Sequence, residues 1–134
     1  MRKASILIAL LLGGCMHSHG IRPLRPLELA TAPYLDRIVE AHAGSLMYEG
    51  GCLLFRDDQT AERFLPIWPV GSVFNGTSVI FHQPAKADQR IIIGEESVLE
   101  GQAAGWPALS AAYLPFRHQC SAQPFFVSSV RPAD

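Results

Sequence analysis

Five histidines, three cysteines and twelve carboxylates are the reactive stock of this 134-residue chain, and their spacing commits few of them to catalysis. A hydrolytic centre needs a nucleophile, a base and a group that orients the base. No G-x-S-x-G or H-E-x-x-H pattern occurs. His82 and His118 lie near the ends of strand-like runs, where structural histidines are expected. Asp57-Asp58 and Glu95-Glu96 are adjacent carboxylates in turn-like sequence. Catalytic pairs need a defined separation across a cleft, so neighbours in a turn read as solvated. The oxygen-ligand spacing of a calcium loop is absent. His17-Ser18-His19 is the one metal-like feature, two imidazoles suited to copper or nickel, with linker polarity as its plainer reading. Trp68 and Trp106 are candidate core or rim residues. Trp68 with Pro66 and Pro69 is the candidate binding edge, because a proline lacks a ladder donor and an open edge accepts a peptide strand. The expectation is therefore no catalytic residue, no bound metal and no cofactor.

The N-terminus carries more information. Met1-Arg2-Lys3 is a charged start, residues 4–12 (ASILIALLL) hold no charge, and Gly13-Gly14-Cys15 follows. Those are the three regions of a secretory signal peptide, and the apolar run is well short of the roughly 20 residues that span a bilayer. Leu12-Gly13-Gly14-Cys15 resembles the bacterial lipoprotein signal, a leucine, small residues and then cysteine. The resemblance implies a diacylglycerylated thiol on Cys15, removal of residues 1–14 and anchoring by acyl chains. Two or three chains give stable attachment where one holds only marginally. Met16 is not the aspartate that commonly retains such proteins at the inner membrane, so the implied site is the outer membrane, facing the periplasm. An ordinary leader cut elsewhere, or an uncleaved anchor, is the competing reading.

That resemblance gives the remaining cysteines a context. Setting Cys15 aside leaves Cys52 and Cys120, an even pair in an oxidising compartment where disulfides persist. Two buried thiols or a reactive Cys52 are the alternatives; no C-x-x-C is present. Loss of Arg2 and Lys3 with the leader turns 11 basic against 12 acidic residues into 9 against 12. A mildly acidic surface without a basic stripe argues against nucleic acid.

Residues 16–33, with three prolines, read as a flexible tether, and residues 34–134 as one domain. Within 34–42, Tyr34/Ile38 and Leu35/Val39 pair at helical spacing and favour a short helix. From Gly44 the signals are β: runs at 45–49, 52–56, 63–69, 90–93, 97–101 and 124–130, separated by turns. Residues 71–74 and 77–82 flank Asn75-Gly76, which predicts a hairpin with a type I′ turn. Asn75-Gly76-Thr77 also matches the N-glycosylation triplet, but the turn is the better reading behind a bacterial leader. Residues 102–115 are looser, with one helical turn after Pro107.

Five to seven short strands with turns between them predict a mainly β domain, a small closed barrel or sandwich with at most one short helix. The run Ile93-Gly94-Glu95-Glu96-Ser97-Val98-Leu99-Glu100-Gly101 resembles the turn and strand of OB-like barrels. With Gly51-Cys52-Leu53, Ile67-Trp68-Pro69 and Cys120 it resembles small bacterial lipoproteins over residues 44–130. The implied function is a non-enzymatic envelope module whose partners are the membrane, through its lipid, and another envelope protein or peptidoglycan. The alternative is an inhibitor or small-ligand-binding lipoprotein, by analogy with membrane-bound lysozyme inhibitors.

Overall fold

The computed structural model describes residues 20–133. Nine strands follow one another along the chain: β1 (Ala30–Ala32), β2 (Glu40–Glu49), β3 (Cys52–Asp57), β4 (Arg63–Pro69), β5 (Val73–Phe74), β6 (Ser78–Phe81), β7 (Gln89–Ile92), β8 (Ser97–Ala103) and β9 (Gln123–Pro132). Between β8 and β9 lie 3-10 turns at Trp106–Ala108 and Ala111–Tyr113, then one short helix, α1 (Leu114–Cys120). The protein is mainly β.

Six strands form one sheet in the order β1-β4-β3-β2-β8-β9, and β4 also pairs with β9. Five of them thus make a closed circuit: β2 to β3, β3 to β4, β4 to β9, β9 to β8 and β8 back to β2. All those pairings are antiparallel except β4 with β9, which is parallel and sets Phe64 beside Gln123. A smaller sheet, β5-β6-β7, lies apart from the circuit in hydrogen bonding but shares its core.

Side-chain alternation explains how both faces are filled. Along β3, Leu53 and Phe55 join a large cluster with Phe64, Trp68, Leu99 and Phe125, which the small sheet completes with Phe74, Val79 and Phe81. Cys52 and Leu54 point the other way, into a second cluster with Leu65, Ile67, Phe116 and Cys120. The helix and the N-terminal segment cover that second face.

The expected tether boundary at residue 34 moves toward the N-terminus. Ala30–Ala32 pairs in parallel with Ile67–Pro69, and Leu24 packs against the second cluster while its N–H donates to Gln119 Oε1 at 3.2 Å. The helix expected over 34–42 is not formed; β2 begins at Glu40 and residues 35–39 have no regular structure. The apolar side chains that suggested it, Leu35, Ile38 and Val39, are exposed. The backbone there is pinned instead by the buried Ser128, whose hydroxyl accepts from Arg37 N–H and lies 2.5 Å from the Leu35 carbonyl.

The hairpin forms, with a different turn. Phe74 pairs with Val79, and Asn75 Oδ1 accepts from the N–H groups of Thr77 and Ser78 at 2.9 and 2.8 Å. Gly76 has φ 98°, whereas Asn75 has no positive φ, so the two left-handed residues of a type I′ turn are not present. The asparagine works as a side-chain cap.

Candidate functional site

Cys15 and His17-Ser18-His19 lie outside the described residues. Cys52 and Cys120 form a disulfide with Cα atoms 5.7 Å apart and a sequence separation of 68. It fastens the end of α1 to the start of β3.

The proposed binding edge is corrected. Trp68 is 1% exposed and stacks edge-on to Phe81 at 6.1 Å, and Pro66 and Pro69 are buried with it. β4 is not an edge strand: β9 pairs along one side, while β3 and then β1 share the other. Pro66 falls between the β3 pairing, which ends at Phe64, and the β1 pairing, which starts at Ile67. Its missing donor is therefore not required on that side. Trp68 Nε1 is buried without a hydrogen-bond partner.

The two histidines do not meet. His82 Nδ1 pairs with Asp88 Oδ1 at 2.9 Å, and His118 lines a cleft with Ile21, Leu114 and Arg117. The carboxylate pair at 57–58 is split. Asp57 turns inward and accepts from Gln59 and Thr60 N–H at 2.7 and 3.0 Å, which closes the β3–β4 turn. Asp58 faces out beside Glu96, and its nearness holds the Glu96 carboxyl above its usual range. Among the described residues no cluster of three or more histidine, cysteine or acidic side chains is arranged to hold a metal.

One constellation escaped the sequence reading. His42 Nδ1 lies 2.7 Å from Asp57 Oδ2 and Nε2 2.6 Å from Glu40 Oε2, an arrangement in which the imidazolium form donates to both carboxylates. Its ring sits 4.5 Å from Phe64 and 5.4 Å from Phe125. Burial alone would lower its pKa, but the Asp57 and Glu40 bonds outweigh it and raise the value above 6.5. Asp57 is shifted oppositely: burial pushes it up, and His42 with the two backbone donors pulls it below 3.8. Both ring nitrogens face carboxylates, and neither is directed at a hydroxyl or thiol that could serve as a nucleophile. The arrangement ties the ends of β2 and β3 together. Glu40 and His42 stand two apart on one strand face, which sequence can show; Asp57 joins them through the β2–β3 pairing, which it cannot.

One cleft of about 350 Å³ lies between β7, the start of β8 and the end of β9, and the other concave surface is on the α1 side. A cleft of about 480 Å³ is lined by Trp106, Arg117, Ser121 and Gln123, and Arg117 reaches two further clefts beside it. Trp106 Nε1 donates to Ala122 O at 3.0 Å and Tyr113 OH to Thr31 O at 2.7 Å, so the aromatic walls are tied inward by their polar ends. Arg117 and His118 are exposed and form no hydrogen bond or ion pair with other described residues. From residue 101 to 133 the chain contains no carboxylate; the nearest acidic side chain lining a cleft with α1 is Glu49, which is paired with Arg63. No described helix is long and apolar enough to cross a membrane. In comparisons with known proteins the chain matches no family model, no curated protein and no solved structure.

Proposed function

We propose that the protein is a non-enzymatic, lipid-anchored module of the bacterial cell envelope, held by acyl chains on Cys15 at the outer membrane and facing the periplasm. Its role is to bind or support an envelope component, another protein or peptidoglycan. The observation that carries this reading is Leu12-Gly13-Gly14-Cys15 after a charged start and a nine-residue apolar run. The Cys52–Cys120 disulfide supports it from the other side, since such bonds persist in oxidising compartments and Cys15 is left as the odd cysteine. The five-strand circuit supports an OB-like barrel, in which closure removes exposed edges that would recruit neighbours. The His42 arrangement, with both nitrogens occupied, favours a structural role over catalysis.

Intact mass of the protein extracted from membranes tests the anchor. The expected species lacks residues 1–14, gains two or three acyl chains and is two hydrogens lighter than the dithiol. A water-soluble, unacylated chain that retains its first 14 residues overturns the reading. Crosslinking in intact membranes should yield a defined envelope partner above the background of an unrelated lipoprotein. A second reading, an inhibitor of a hydrolase such as lysozyme, is favoured by the open clefts around Arg117 on a disulfide-braced β domain. A lysozyme assay with the purified protein decides between the two.

A further inference from the structure

We propose that the face built from α1 and residues 20–25 lies directly on the membrane, with anionic lipid headgroups as its partner; the inference rests on the Cys15 anchor proposed above. The first argument is length. The fold already holds Arg22 and Leu24, through Arg22 to Glu28 at 2.6 Å and Leu24 to Gln119. Only residues 16–19 separate Cys15 from Gly20. Five Cα steps reach at most about 18 Å, against a radius of gyration of about 13 Å for a domain of this size. The side that carries residues 20–22 therefore cannot turn away from the bilayer.

The second argument is what that side presents. Ile21 shares a cleft with Leu114, Arg117 and His118, and Leu114 is 38% exposed. Residues 101–116 contain no charged side chain and end at Arg117-His118. Residues 20–27 contribute Arg22 and Arg25 with no carboxylate; Glu28, the nearest, is bonded to Arg22 and accepts from Arg25 N–H at 2.8 Å. Arg22 is paired, but Arg25 and Arg117 form no ion pair among the described residues, and these two cations beside uncharged surface favour an anionic lipid interface, with an attraction that acts within a Debye length of about 8 Å. A connection of at most about 18 Å keeps the face close enough to the bilayer to come within that range.

The experiment uses the full acylated protein in vesicles of phosphatidylethanolamine and phosphatidylglycerol that carry a headgroup nitroxide quencher. A fluorescent amino acid replaces Leu114, or Glu95 as the control. Position 95 lies at the Asp58 end of β3, whereas the disulfide holds α1 at its Cys52 end. Quenching at 114 is expected to exceed that at 95 several-fold. Arg117→Gln with Arg25→Gln should reduce it while co-sedimentation, held by the acyl chains, stays unchanged. Equal quenching at both positions overturns the docking and leaves the anchor standing. Protection at 114 that rises with protein density at fixed lipid composition assigns the face to a second copy and also overturns it. A chain that neither co-sediments nor carries acyl mass overturns the anchor and the docking together.

Discussion

His42 shows how one side chain sets the pH range of this fold. Its native pKa lies above the ordinary 6.5 because Asp57 and Glu40 outweigh the burial that opposes its charge. The stability it contributes is complete below the unfolded value and is lost as pH rises through the raised native value. Asp57, lowered below 3.8, contributes above that value and loses its share as pH falls through the lowered native one. Urea midpoints should therefore form a plateau between the carboxylate and imidazole ranges and decline on its alkaline side. His42→Gln should abolish the alkaline decline; its persistence would assign that decline to another group. His42→Ala also strips ring contacts with Phe64 and Phe125 and leaves Asp57 short of a partner, a cost of about 2–3 kcal/mol for a site only partly screened by solvent.

At the scale of elements, strand approach is decided by two glycines. A Cβ at Gly44 would strike the Arg56 carbonyl oxygen, and one at Gly101 the Phe126 carbonyl oxygen. Both obstacles are backbone in a paired strand, so neither side yields without opening a ladder. Gly44→Ala and Gly101→Ala should each destabilise by about 2–3 kcal/mol, read as a shift in urea midpoint with the m-value unchanged. Ser128→Ala removes the hydroxyl that pins the 35–37 backbone and should cost about 1–2 kcal/mol, with faster exchange of the Arg37 amide. These elements also mark how far sequence reaches. The runs at 52–56, 63–69 and 124–130 were legible because apolar alternation and bounding turns are local signals. Residues 30–32 were not: three residues among prolines become a strand only because β4 offers them an unpaired stretch beyond Phe64. The helix failed at 34–42 and formed at 114–120, since burial of Phe116 and the Cys120 bond, both set by distant residues, choose its place. Trp68 is core, as one of its two readings had it, while the binding edge at Pro66, Trp68 and Pro69 failed for the same reason, as Pro66 marks a gap between partners and not an open edge.

For the whole molecule, the decisive fact is that the layer carrying α1 lies outside the five-strand circuit and, besides the backbone that joins it to β8 and β9, is tied to it by one disulfide. The circuit closes through long-range pairs, β2 with β8 and β4 with β9, and keeps its own core around Phe55, Phe64 and Phe125. The outer cluster is smaller, with Phe116 as the main helical contribution beside the disulfide. A cross-link over 68 residues lowers the entropy of the unfolded chain, a stabilisation of about 4 kcal/mol in the chain-entropy model. For a domain of this size that corresponds to a fall of roughly 15 °C in Tm on reduction. The loss should not be uniform. Without the bond, α1 is retained by Phe116 packing and by the Gln119 contacts to Leu24 N–H and Gly50 O, which are exposed. Amides of residues 114–120 and 22–32 should then exchange in the reduced protein well before those of β3, β8 and β9. Hydrogen exchange of Cys52→Ala/Cys120→Ala measures this directly, and uniform loss of protection would mean that helix and circuit unfold as one unit. If the helical layer opens first, reduction also removes the surface proposed to meet the membrane while leaving the lipid attachment in place. The quenching contrast between positions 114 and 95 should then collapse in the double variant without any loss of co-sedimentation.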